Sequence, residues 1–325
     1  IYLLDLHGNS LKKEKAPDGS KDENVFDIQQ GVAIALFVKK KQSTSSKILM
    51  HSEIWGARGQ KYEWLTSHDL KKTDWRELKP ASPFYLFVPR DERLNKQFQS
   101  YLSIPEIFPV NSVGIVTARD HLTIHWTPHQ VWATILNFVS LEPEIARQAY
   151  QLGNDVRDWK VELAQGDLKK SGPTKGNIVP ILYRPFDIRY TYYTGNSKGF
   201  HCMPRREVMR HMIDKNLGFI TVRKAPPNSL CNYFFVSEHI ISNGAIRSDN
   251  QSIDTFFPLY TYPERDRQDL LSQGESSERV PNIAPKLIEA LRSAFRKDPS
   301  REQIFHYIYA LLYSNAYRKK YAEFL

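Results

Sequence analysis

The strongest constraint on the fold lies in the first 38 residues. Two apolar runs, residues 1–7 (IYLLDLH) and 32–38 (VAIALFV), bracket 24 polar, turn-rich residues, GNSLKKEKAPDGSKDENVFDIQQG. Each run is short and rich in β-branched or aliphatic side chains, so each reads as a strand, and the pair reads as two strands around a long loop. The first strand also delivers Asp5 and His7 into a Gly-Asn-Ser turn, which raises the question of a metal site.

The same vocabulary continues along the chain. Further strands are expected at residues 47–55, 84–88, 112–117, 179–183, 217–223 and 233–237. Helices announce themselves by proline in the first turn: Thr127-Pro128 before HQVWATILNFV, Glu142-Pro143 before EIARQAYQL with Gly153 behind it, and Met203-Pro204 before RREVMRHMIDK. Leu287, Ile288, Leu291, Ala294 and Phe295, then Ile304, Phe305, Ile308, Leu311 and Leu312, recur at helical spacing, so residues 282–325 form a helical tail. The polar stretch RDRQDLLSQGESSERVPN before it reads as a linker. The fold class is mixed, α/β or α+β.

A chain of 325 residues with 41% hydrophobic content can bury one large core or two to three smaller ones. No run is long enough to span a bilayer and the first residues lack the zones of a secretory signal, so a cytoplasmic address with no membrane partner is expected. Cys202 and Cys231 have no paired spacing, which argues against a disulfide framework or a cysteine zinc site.

An Asp-x-His-Gly at a strand end resembles the first metal element of metallophosphoesterases. The further ligands of that pattern are missing. Gly153-Asn154-Asp155 and Gly166-Asp167 stand in the wrong order, lie in amphipathic helical sequence, and lack the histidine that should follow the asparagine. Asp5 and His7 therefore read as a polar strand end. His121, His125 and His129 are spaced by four, but Leu122, Ile124 and Trp126 alternate as in a strand and Pro128 interrupts any helix, so the imidazoles share no face. No nucleophile elbow, phosphate loop or dinucleotide fingerprint occurs.

Charge is unevenly placed. The net charge is +9, and residues 184–224 hold nine Lys or Arg against three acids, a surplus of six in 41 residues. There cations alternate with aromatics, in YRPFDIRYTYYTGNSKGFHCMPRREVMRH: Arg184, Phe186, Arg189, Tyr190, Tyr192, Tyr193, Phe200, Arg205, Arg206 and Arg210. Guanidinium groups contact phosphates and guanine edges while rings stack on bases or sugars, as a nucleic-acid surface requires. An internal Arg184–Asp187 salt bridge and inward-facing Tyr190 or Tyr192 are the competing reading.

The blocks DLHGNSLKKEKAPDGSKDENVFDIQQGVAIALFVKK, HSEIWGARGQKYEWL, EIFPVNSVGIVTARD, YRPFDIRYTYY with PRREVMRH, FFPLYTYP and IFHYIYALLYSNAYRKKYAEFL resemble, in order, the C-terminal region of bacterial restriction-modification methyltransferases of the single-chain type ISP, which modify adenine at N6. The resemblance covers nearly the whole chain. It implies that residues 1–75 end the methyltransferase domain, with runs 1–7 and 32–39 as the closing hairpin of its sheet, that 76–264 are a mixed α/β target-recognition domain, that 265–281 are a linker, and that 282–325 are the helical tail. It also implies that loop 8–30 faces DNA or the adenine pocket, with Lys12, Lys13, Lys15 and Lys21 near phosphates.

The chain departs from that family where chemistry would be done. The glycine-bearing strand end that holds S-adenosylmethionine and the Asn/Asp-Pro-Pro-aromatic element that grips a flipped adenine are both missing, and the one Pro-Pro, in KAPPN, has neither flank. The chain starts without Met and stops on YAEFL, so a fragment of a longer polypeptide is expected, with no cofactor of its own and S-adenosylmethionine bound upstream. The expected partners are double-stranded DNA and an upstream catalytic domain. The expected DNA contacts are Arg119, Arg184, Arg189, Arg205, Arg206, Arg210, Arg223, Lys224 and Arg247. Two other classes remain open: a metal-dependent phosphoesterase using Asp5 and His7, and a scaffold docking through Tyr307, Tyr309, Tyr313, Tyr317 and Tyr321.

Overall fold

The computed structural model describes the chain except residues 40–47, 83–84, 157, 226–231, 250–251, 265–278, 323 and 325. Two compact units emerge, the first built chiefly of Ile1–Tyr101 and the second chiefly of the residues from Leu102 onward. Cys231, the KAPPN prolines and most of the expected linker lie outside the described residues. No described helix is long and apolar enough to cross a membrane.

In the first unit the two apolar runs do pair. β1 (Tyr2–Asp5) runs antiparallel to β2 (Ala33–Leu36), with Tyr2 opposite Leu36 and Asp5 opposite Ala33. On its other edge β1 runs parallel to β3 (Leu49–Glu53), followed by α1 (Arg58–Ser67) and by β4 (Arg76–Leu78), which pairs with β3. Leu4, Leu6 and Val25 are buried, with Trp64, Leu65 and Trp75 packed against them. α2 (Glu92–Gln99) is capped by Asp91, whose carboxylate accepts from the amides of Arg93 and Leu94.

Loop 8–31 is held by named bonds. The Asn24 side-chain amide donates to the carbonyls of Gly8 (3.1 Å) and Gln30 (2.5 Å). Gly8 sits at φ +84°, where a Cβ would meet Asn24 Cα at 2.4 Å, so glycine is required. Residues 85–88 form no strand: that run is flanked by Pro83 and Pro89, which remove backbone donors, and Tyr85 turns at φ +47°. All four of its side chains are exposed.

The second unit begins with α3 (Ile104–Ile107), β5 (Ser112–Val113), α4 (Asp120–Thr123), β6 (Ile124–His125), α5 (Pro128–Ser140), α6 (Pro143–Ala149) and α7 (Val161–Ser171). β7 (Ile178–Arg184) and β8 (Asp187–Tyr192) form a hairpin, and α8 (Arg206–Met209) follows. Next come β9 (Gly218–Val222), β10 (Phe234–Ser237), β11 (Ile240–Ile241), β12 (Asp254–Pro258), β13 (Tyr260–Thr261) and β14 (Val280–Pro281), then α9 (Pro285–Phe295), α10 (Arg301–Tyr313) and α11 (Asn315–Tyr321). One sheet has the order β10-β9-β12-β5 and a second β11-β7-β8-β6.

Strand alternation makes this unit layered. On β9 and β12, Ile220 and Phe256 face a core shared with Ile181, Leu182, Ile240 and Ile241 of the other sheet. Their neighbours Phe219 and Phe257 face the opposite way, against Ile304, Phe305, Ile308 and Leu312 of α10. Val131, Ile135 and Phe138 of α5, with Ala164 and Leu168 of α7, pack with Tyr192 of β8 in a third cluster. The order is helices, sheet, sheet, helix, and the tail is part of this core.

Helix starts follow the sequence signals. Thr127 and Gln130 cap α5 reciprocally, as Ser300 and Gln303 cap α10. Two local expectations fail. Asp120–Thr123 is a helical turn, so strand alternation begins only at Ile124, because the Thr117 hydroxyl and Asp120 carboxylate tie the chain into a turn there. The helix expected at residues 205–215 shortens to α8 and one 3-10 turn, Arg210–Met212. Asn216 stops it by donating to the carbonyls of His211 (2.9 Å) and Tyr260 (2.8 Å), which aims the chain into β9.

Candidate nucleic-acid interface

The β7–β8 hairpin turns through two residues, Pro185 and Phe186, with Arg184 paired to Asp187. The Arg189 guanidinium forms a two-pronged bond with Asp187, Nε to Oδ1 at 3.1 Å and Nη2 to Oδ2 at 2.9 Å. It also lies 3.9 Å from the Trp126 ring and 4.2 Å from the Tyr183 ring, and Arg184 lies 4.0 Å from that same Tyr183. Trp126, Arg189, Tyr183 and Arg184 therefore form a row of alternating rings and cations. Tyr183 donates to Asp120 Oδ2 at 3.0 Å, and burial raises its pKa.

The Arg184–Asp187 salt bridge does not form; Asp187 pairs with Arg189. Arg184 uses one N–H on the carbonyl of the preceding Tyr183 (2.6 Å) and has no carboxylate within salt-bridge distance among the described residues. Its field does reach the wholly buried Asp254, whose pKa is raised by burial and whose Oδ1 has no hydrogen-bond partner among the described residues.

Asp254 stands opposite Val222, and β9 then runs straight into Arg223 and Lys224, both exposed. Arg247 is buried at this edge. It grips Asp249 through Nε and Nη2, both at 2.8 Å, and donates to the Lys224 carbonyl. Its guanidinium holds the Lys224 backbone in place. Among the described residues Arg184, Arg223 and Lys224 have no carboxylate at salt-bridge distance, and Arg184 faces the buried Asp254.

A second group surrounds the buried Tyr193, whose phenol is raised by burial and faces the charges of Arg206 and Arg210. Arg205 sits at φ +52° with its Nη2 3.4 Å from Met203 Sδ. Arg206 is exposed and 3.8 Å from Glu264, while Arg210 donates to the Tyr262 carbonyl at 2.8 Å. Arg119 is committed elsewhere. Its Nε, Nη1 and Nη2 donate at 2.7 Å to the carbonyls of Leu152, Ala118 and Asn154, which makes it a clip for the loop after α6.

Asp5 and His7 stand at the end of β1. The His7 ring stacks on Trp55 at 3.3 Å, and its two nitrogens stand 3.2 Å from Glu14 and 3.2 Å from Glu53. Among the described residues no group of three or more His, Cys, Asp or Glu side chains is arranged to hold a metal ion. His121 and His125 bond backbone carbonyls of Tyr150 and Leu122. In the tail, Tyr313 donates to the Phe234 carbonyl at 2.7 Å and Tyr321 is buried, so these rings belong to the core; Tyr307 alone among the five is exposed.

Comparison with known proteins places this geometry. A family model described as the type ISP C-terminal specificity domain matches residues 106–325. The structure resembles a DrdV–DNA complex (21% identity, TM-score 0.54), a nuclease-deletion mutant of the type ISP restriction-modification enzyme LlaGI with a DNA substrate mimic (20%, 0.51), and the ATP-dependent type ISP enzyme LlaBIII bound to DNA (19%, 0.56). Each match covers 99% of this chain but only 32%, 29% and 21% of the other, so the chain spans a third or less of those proteins. No curated protein matches it by sequence. With the family model covering more than half of its length, the chain belongs to the type ISP C-terminal specificity domain family.

Proposed function

We propose that the chain is a duplex-DNA target-recognition module. In this reading it holds DNA on the surface formed by the β7–β8 hairpin and the end of β9, and presents one adenine to a catalytic domain elsewhere in a longer, cytoplasmic polypeptide. Transfer of a methyl group from S-adenosylmethionine to adenine N6 belongs to that other domain. This chain has neither the glycine-bearing strand end nor the Asn/Asp-Pro-Pro-aromatic element such a reaction needs, so no cofactor step is assigned to it.

The observation that supports the reading is the row Trp126–Arg189–Tyr183–Arg184, whose Arg184, like the exposed Arg223 and Lys224, has no carboxylate at salt-bridge distance among the described residues. A row of rings and guanidiniums offers both stacking faces and phosphate contacts. Arg189, anchored by Asp187, has a fixed orientation, while Arg184 keeps donors to spare. The three DNA complexes to which the fold is similar point the same way.

Charge reversal separates contacts from internal ties. Arg223→Glu with Lys224→Glu should weaken duplex binding by tenfold or more in fluorescence anisotropy while leaving the melting temperature within a degree or two, because neither side chain packs in the core. Unchanged affinity would refute the placement of the interface at this edge.

A further inference from the structure

We infer that Phe186 is a wedge that stacks against a base step of the duplex, an assignment that rests on the DNA-binding reading and names the residue that would enter the helix. Phe186 occupies the last position of the two-residue turn and has φ +63°. Pro185 before it fixes its own φ near −65°, so the turn has type II character, and the position after the proline is one that favours glycine. A bulky side chain there is a backbone outlier that works against the fold.

The ring recovers little of that from burial. At 89% exposed it is the most exposed large hydrophobic side chain among the described residues, tilted against the Phe235 ring with centroids 5.8 Å apart. A strained backbone that holds an aromatic ring out in water is a local rule broken without a local gain, which points to function. The tip is rigid, since paired strands flank a two-residue turn that begins with proline.

The surroundings select the partner. Immediately behind the ring stand Arg184, with no carboxylate at salt-bridge distance among the described residues, and the Arg189–Trp126 stack, with Trp126 61% exposed. An apolar ring at the tip of a hairpin with cations at its base matches a stack of bases flanked by phosphates. Apolar proteins offer no anions to those guanidiniums. The rival occupant is a protein segment in the groove that Phe186 shares with Phe235, Val236, Leu217 and Tyr309.

The test uses the whole chain and random-flanked duplexes with one central 2-aminopurine. Wild type should bind at low salt and raise the 2-aminopurine fluorescence as the base step opens. Phe186→Gly should lower affinity about five- to hundredfold and abolish the fluorescence rise, while its melting temperature stays equal or increases because glycine suits the turn. Phe186→Trp should retain both signals. If wild type binds but Phe186→Gly binds equally well, the wedge is refuted and the DNA reading survives. A fall in melting temperature that accompanies the loss makes the ring a fold element and also refutes it. Failure of wild type to bind duplex would overturn the DNA-binding reading itself, and the wedge with it.

Discussion

Lys61→Met should unfold the first unit more severely than any surface change in α1. Lys61 is wholly buried, and its three ammonium donors are all used: Asp22 Oδ1 at 2.6 Å, the Leu6 carbonyl at 2.7 Å and the Glu23 carbonyl at 2.7 Å. Asp22, whose side chain is also wholly buried, accepts from the Gly8 amide at 2.6 Å and the Gly56 amide at 2.8 Å. One ammonium thus ties β1, loop 8–31 and α1 together. Removing it leaves a buried carboxylate with no counter-ion and two carbonyls without donors, a loss of about 3–5 kcal/mol. A unit of this size has only about 5–15 kcal/mol in total. Hydrogen exchange read by mass spectrometry, which resolves residues 2–6 and 58–67 from the second unit, should show protection collapsing in both segments. Lys61→Met with Asp22→Asn should be less damaging than Lys61→Met alone, because the orphaned charge is gone. A loss below about 1 kcal/mol, or strictly additive single and double variants, would refute the argument.

Two further outcomes follow from the second unit. Gly218 is buried on β9, and a Cβ there would fall 1.9 Å from the Phe256 ring, so Gly218→Ala should lower stability by about 1–3 kcal/mol in urea denaturation; an unchanged midpoint would contradict the packing described. His201 is fully buried and burial pushes its pKa down to about 4 from 6.5. Thr191 donates to the Thr123 carbonyl, so His201 Nε2 must donate to Thr191 Oγ1 and the ring is neutral, with Nδ1 lacking a partner among the described residues. The unfolded chain then binds the extra proton, and stability falls as pH drops from 6.5 toward 4, by about 2 kcal/mol between pH 7 and 5. Urea midpoints at those two pH values should differ less in His201→Gln, and an identical difference would exclude this ring as the source.

Much of the fold is legible because it is local. The short β-branched and aliphatic runs at residues 1–7 and 32–38 predict strands, and they pair; Thr127 and Ser300 start helices where their capping partners stand three residues on. What is hidden is long-range. Nothing local shows that β3 joins β1 in parallel, or that Lys61, on a polar helix, is the residue of α1 that is buried. The run at 84–88 has strand composition, but a strand needs a partner, and prolines on both sides remove the donors that would recruit one.

The site was legible as composition and only partly as geometry. Alternating cations and rings in residues 183–193 identify the hairpin. Trp126, which completes the row, carries no signal in HWTP because its contact to Arg189 spans the β6–β8 pairing. The burial of Arg247 could be read from Asp249 two residues on, whereas Arg119 is lost to carbonyls more than 30 residues away that no pattern announces.

The central claim is that the second unit presents an electrostatic and stacking surface to a double helix. Its most direct test is the salt dependence of duplex binding by this chain, measured by anisotropy from 50 to 300 mM salt. The account predicts a log-log slope steeper than about −3, the release of counter-ions by several guanidinium and ammonium contacts. A slope near zero, or no measurable binding at the lowest salt, would contradict it.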